Sequence, residues 1–228
     1  MGRMGVLGQG FLAIWNDVAP GGDDDFHHWH TKEHFPERVG VPGFLRGRRY
    51  VAVTGQPTYF TLYETESVAV LASAPYIERL NNPTPWTQRA LARFINTNRT
   101  ACRVTAGLGQ GVGGALGTFQ LSPRPEAATT LRHWLANVAF PALVERPAVT
   151  GAALGEADLA ATLVPAKERQ LRVVADKTAN WVVLVEALEA SEVDAACSEV
   201  LSPDALQRNG AEPEADLAVY RLLYCLTR

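Results

Sequence analysis

What most constrains the fold of this chain is that the order of its first half is replayed in its second. Phe35-Pro36 returns as Phe140-Pro141 at an offset of 105, Leu62-Tyr63-Glu64 as Leu184-Val185-Glu186 at 122, and Arg103 as Arg221 at 118. Each match is short, but all three keep their order, as a duplicated structural unit should. The rise from 105 to 122 places an insertion near residues 157–177, a polar, alanine-rich stretch that reads as an extended connection.

The first half punctuates cleanly. Short apolar or β-favouring runs predict strands over residues 11–15, 44–53, 59–65 and 100–105. Asp23, Asp24 and Asp25 stand where first-turn acids meet orphan N–H groups, predicting a helix over about residues 25–37. A second helix over 67–80, split by Pro75, precedes a helical piece at 86–94. The order is β-α-β-β-α-β. The second half offers strands at 116–121, 181–188 and 217–226 and helices at 126–144 and 191–201. Two ferredoxin-like units are therefore expected, an α+β fold, with residues 1–106 and 115–228 joined by a glycine-rich linker at 107–114. That linker contains a G-x-G-x-x-G at Gly109, Gly111 and Gly114, but a strand follows where dinucleotide binding needs a helix.

Chemistry concentrates between Asp23 and Tyr50, where His27, His28, His30 and His34 fall within eight positions. At about 100° per residue, His27, His30, His34 and Glu37 share one arc, while Phe26, Trp29 and Pro36 share the next and His28 and Phe35 point elsewhere. His34 is the candidate acid–base group, since imidazole titrates near neutrality. Glu37 or Glu64 is the candidate for orienting it; Tyr63 could polarise a carbonyl, and His30, Arg48, Arg49 and Tyr50 could bind an anionic or carbonyl substrate. The repeat supplies a control: the position matching His34 is Ala139, so the fold does not require an imidazole there. A divalent metal on His30, His34 and Glu37, or a haem on one histidine, is the rival chemistry. The rival from another class is a non-catalytic ligand-binding or structural barrel. The bland readings are a solvated strand edge for Arg46 to Arg49 and wall packing for Tyr50 and Tyr63.

Composition narrows the partners. With 21 basic and 24 acidic residues and a net charge of -3, the chain has no footprint for nucleic acid or an anionic membrane. Cys102, Cys197 and Cys225 are widely spaced and read as free thiols in a reducing compartment. No signal peptide or transmembrane run is evident, and a soluble cytoplasmic protein is expected.

The motifs W-H-x-x-E-H (Trp29 to His34), Val41-Pro42-Gly43-Phe44, Arg48-Arg49-Tyr50 and Leu62-Tyr63-Glu64 resemble those of the dimeric α/β-barrel superfamily, and most of all EthD-type and related bacterial proteins with two tandem units. The resemblance covers most of residues 9–106 and, more faintly, 115–228. It implies two sheets facing each other as a barrel, a homodimer, and a small molecule bound between sheet and helices. Members include cyclases, muconolactone isomerases, quinone-forming monooxygenases and haem-containing chlorite dismutase relatives, so the fold does not choose the reaction. The expectation is a cofactor-free cyclase, isomerase, dehydratase or lyase acting on an aromatic or polyketide-like carbonyl compound. A metal- or haem-dependent oxidoreductase is the alternative.

Overall fold

Side chains alternate across a strand, and here the runs at 59–65, 115–121 and 181–187 are buried on both faces almost throughout, so the sheet must be covered on both sides there. The computed structural model, which describes residues 5–172 and 174–228, shows how. The elements of the first unit are β1 (Gly10–Val18), α1 (Asp23–Trp29), a π-helical turn (His30–His34), α2 (Phe35–Val39), β2 (Phe44–Thr54), β3 (Tyr59–Thr65), α3 (Ala74–Asn81), α4 (Pro85–Leu91) and β4 (Phe94–Gly109). The second unit has β5 (Ala115–Leu121), α5 (Ala128–Trp134), a second π-helical turn (Leu135–Ala139), α6 (Phe140–Val144), β6 (Val149–Ala157), α7 (Leu159–Thr162), α8 (Lys167–Gln170), β7 (Trp181–Ala187), α9 (Ala190–Val200), α10 (Pro203–Arg208) and β8 (Asp216–Thr227). All eight strands close into one antiparallel barrel in the order β1-β3-β2-β8-β5-β7-β6-β4. The two joins between units are β2 with β8 and β4 with β6.

The expected ferredoxin-like pair is present, with three corrections. The stretch 107–114 is not wholly a linker, because β4 runs through Gly109 and pairs it with Gly151. β6 was not foreseen, since VTGAALGEA lacks the bulky residues that mark a strand. The insertion after β6 is no extended spacer: α7 and α8 fold back onto the first unit, where Ala161 and Ala166 join its apolar core.

Phe11, Trp15, Tyr50, Phe60, Val182 and Tyr220 fill the barrel interior. Outside it, α5, α6 and α9 cover the second unit through a wholly apolar layer that includes Leu131, Leu135, Leu143, Val183 and Val185. The corresponding layer of the first unit is not wholly apolar. His30, His34, Arg38, Thr61 and Arg99 are buried there. Gly47 positions this layer, because a Cβ at that residue would lie 2.6 Å from the Phe35 ring. The β-strand can therefore pass directly beneath α2. Among the described residues no helix is long and apolar enough to cross a membrane.

Candidate functional site

The site is built around the π-helical turn. In an unbroken α-helix continuing from Phe26, the inward positions would be 29, 30, 33 and 37. The wider turn at His30–His34 inserts an extra residue, so the inward face passes to His34, Phe35 and Arg38. Glu33 swings aside and accepts hydrogen bonds from the Thr84 and Thr87 hydroxyls at 2.6 and 3.1 Å. Thr87 in turn accepts from Trp29 Nε1 at 3.1 Å, which pins α4 against the turn. The expected helical wheel is corrected accordingly. Phe35 is fully buried, while His27 and Glu37 lie at the margin.

His30 stacks on Trp29 with ring centroids 5.4 Å apart, His34 lies 4.3 Å from the same indole, and the two imidazoles are 5.5 Å apart. Nδ1 of each is buried and has no hydrogen-bond partner among the described residues, and neither has the Tyr63 hydroxyl. Both histidines are held well below the ordinary imidazole pKa, His30 by burial and then the charge of Arg49, His34 by burial and then Arg38. Burial drives the Tyr63 phenol in the opposite direction, well above its usual value. At neutral pH the site therefore presents two neutral imidazoles and a protonated phenol.

These groups line a cavity of about 30 Å³ with Arg38, Arg99, Glu168 and Arg172. Arg38 donates to Glu168 of α8 and lies 3.2 Å from Glu37; these partners keep its pKa high although burial opposes the charge. Arg99, on β4, donates to the Thr162 carbonyl and to the Tyr76 hydroxyl, each at 3.2 Å. A cavity of this size holds two or three water-sized groups.

The predicted site residues do not all meet. His30, His34 and Tyr63 share the cavity. Glu64, Arg48 and Tyr50 lie on the opposite face of the sheet, inside the barrel, because they alternate with Tyr63 and Arg49 along their strands. Arg48 bonds Glu64 at 2.7 Å and also pairs with Glu186, the repeat-related carboxylate, while Arg46 bonds Glu64 from its other side. Glu64 is thus a structural ion-pair partner and does not orient His34, and Arg48 and Tyr50 cannot reach a substrate held beside the histidines. Arg49 is on the helix side but is occupied by it, donating to Thr31 Oγ1 at 3.1 Å and to the His27 carbonyl at 3.4 Å. Glu37 is turned to Arg38, and among the described residues no carboxylate is hydrogen-bonded to His34. His30, His34 and Glu37 form no metal centre, since no group of three such ligands gathers among the described residues.

Arg38, Tyr76, Arg99, Glu168, Arg169 and Arg172 escaped sequence reasoning. Yet the comparison that singled out His34 reaches several of them. The helix offset of 105 matches His30 to Leu135, His34 to Ala139 and Arg38 to Leu143. The strand registers match Tyr63 to Val185 and Thr61 to Val183, and they match Arg99, opposite Ile14, to Leu217, opposite Phe119. Six polar positions of one unit are apolar in the other, on the same backbone, π-turn included.

No protein-family model matches the chain, and no curated protein does. Solved structures do. A monooxygenase candidate from Fusobacterium nucleatum subsp. nucleatum superposes with a TM-score of 0.61 at 10% identity, over 98% of this chain and 96% of its own. An anthrone oxidase-like protein gives 0.61 at 10% identity, over 96% and 92%. A candidate chlorite dismutase gives 0.60 at 9% identity, over 96% of both chains. The fold is the ferredoxin-like dimeric α/β barrel. In this chain tandem units close that α/β barrel without a second copy.

Proposed function

We propose that the chain is a small-molecule enzyme whose reactive site lies in the first unit, and that it works by proton transfer at His34, assisted by His30 and Tyr63. The observation that carries this reading is the six-position contrast between the repeats. Apolar residues satisfy the fold at every one of these places in the second unit, so the buried imidazoles and arginines of the first are retained at a cost in desolvation. A neutral imidazole among buried cations is a poor base toward water. It becomes an effective one when the proton it takes leaves an enolate or phenolate beside it, because the new anion offsets both the imidazolium and the arginines. The protonated Tyr63 hydroxyl can donate to the developing oxyanion. The substrate class that fits is an enolisable aromatic or polyketide-like carbonyl compound whose reacting end enters the cavity. An EthD-type relationship, resting on the Trp29 to His34 motif, belongs to this same proposal.

Two endings follow from one deprotonation. Reprotonation elsewhere gives an isomerase, cyclase or lyase. If dioxygen is the acceptor, a methylene becomes a carbonyl and the oxygen is reduced to one carbonyl oxygen and one water. The names of the oxygenase and oxidase neighbours favour the second ending. Haem does not fit: the histidine cavity of about 30 Å³ admits two or three water-sized groups, which is room for the reacting end of a substrate and not for a macrocycle. No step is therefore derived through it.

The test is deuterium incorporation into a panel of aromatic β-ketones and β-keto acids whose enolisable carbon lies outside the ring, followed by NMR with oxygen uptake recorded in parallel. Wild type should catalyse exchange, and His34→Asn should slow it about a hundredfold or more. Equal exchange rates in the two proteins would sink the proposal, and oxygen uptake decides between the endings.

A further inference from the structure

The charge balance of the cavity points to what its substrate carries. Arg38, Arg99, Arg169 and Arg172 line it with a single carboxylate, Glu168, and Arg38 already holds that one. Arg172 is met by Asp176 at 2.5 Å and its Nε remains without a partner among the described residues. Arg99 and Arg169 form no pair with a carboxylate among the described residues; both guanidinium groups turn on the same neutral acceptor, the Thr162 carbonyl. Arg99 is only 5% exposed. Two cations crowded onto one peptide oxygen repel each other, and the charge of Arg99 is one of the influences that depress the Arg169 pKa, after burial. Nothing in the fold asks for this, since the residue equivalent to Arg99 is Leu217, and Arg169 arrives on an insertion that only the second unit has.

We infer that the cavity is a carboxylate site: the substrate's carboxylate sits between Arg99 and Arg169, replacing the Thr162 carbonyl as their shared acceptor, with the neighbouring carbon among His30, His34 and Tyr63. A guanidinium fork is matched to a planar carboxylate, and the cavity of about 30 Å³ suits that group and not a whole ring. The bound anion would also remove part of the cationic pressure on the histidines. The reactive role of the neighbouring carbon rests on the proton-transfer reading above; carboxylate binding itself does not.

The experiment titrates formate, acetate and benzoate against formamide, acetamide and benzamide at constant ionic strength, reading Tm and calorimetric Kd. Carboxylates should raise Tm and the isosteric amides should not. Arg99→Leu, which installs the residue of the second unit, should weaken acetate at least tenfold; Arg99→Lys, which keeps the charge but loses the fork, should fall between. Arg103→Gln, which removes an exposed arginine outside the cavity, should bind acetate as wild type does. Should Arg99→Leu fail to fold, Arg99→Lys and Arg169→Gln carry the decision. Equal shifts from carboxylates and amides, or wild-type acetate affinity in the arginine variants, would overturn the inference. Carboxylate binding with no deuterium exchange in wild type would uphold this site and discard the proton-transfer reading.

Discussion

His30 is buried beside Arg49, His27 and Arg38, and His34 beside Arg38, His30 and Arg172; after burial itself, positive charge on any of these neighbours disfavours imidazolium. The pH consequences have a definite sign. Because the neutral imidazole is the working form, kcat/KM should stay flat from neutrality down past the ordinary histidine value of 6.5 and turn down only below it. Stability should behave differently. Above pH 6.5 the histidines are neutral folded and unfolded; as pH falls from 6.5 toward the depressed folded values, the unfolded chain takes up protons that the folded one refuses, and stability is lost. Urea midpoints from pH 5 to 8 should show that loss in wild type and a smaller one in His34→Asn. A pH-independent difference between the two proteins would contradict it.

At the scale of elements, the π-helical turn decides which residues meet. It occurs at the same place in both units, His30–His34 and Leu135–Ala139, so it belongs to the duplicated scaffold and not to the chemistry. Deleting the exposed Lys32 should let the segment relax to a regular helix and turn Trp29 and His30 away from Phe35 and Arg38. The expected cost is about 3–5 kcal/mol, the scale of losing a buried aromatic, and circular dichroism with denaturant unfolding would measure it. Trimming Lys32 without loss of stability would show that the turn is dispensable. The insertion carrying α7 and α8 has the second structural role. Its Glu168 holds the buried Arg38, and Glu168→Ala should cost about 1–3 kcal/mol by removing the charged hydrogen bond and leaving that cation only Glu37. Neither role was legible in the sequence. A π-turn has no residue signature, and an alanine-rich insertion looks like a spacer until its partner across the chain is known.

At the scale of the whole molecule, the barrel is tied together at its centre by one side chain. Glu64 and Glu186 occupy equivalent places in the two units, but arginines stand opposite only in the first, where Arg48 serves both carboxylates. Burial raises the Glu186 carboxyl above its usual pKa while Arg48 works against that shift. Arg48→Met should therefore destabilise the fold by about 3–5 kcal/mol at pH 7, because it strands Glu186, whereas Glu64 keeps Arg46. The deficit should shrink as pH falls and Glu186 takes a proton, which chemical denaturation at pH 5 and 7 would show. A constant deficit would mean that packing, not charge, is what Arg48 supplies.

The sequence by itself determined the duplication, the ferredoxin-like order of the first unit, and the asymmetry that places an imidazole at His34 and a methyl at Ala139, because periodicity and repeat offsets are local properties that survive without coordinates. Even the alternation that separates Arg48 and Tyr50 from Arg49 was present in the strand pattern, although the side of the sheet each faces was not. Only the tertiary structure decided that a π-turn carries His34 inward, that Glu64 turns to Arg48 within the barrel, and that the insertion after β6 brings Glu168, Arg169 and Arg172 onto a cavity in the other unit. The last of those outcomes depends on contacts between residues more than a hundred positions apart, as between Arg38 and Glu168, which are chosen by barrel closure and not by neighbours along the chain.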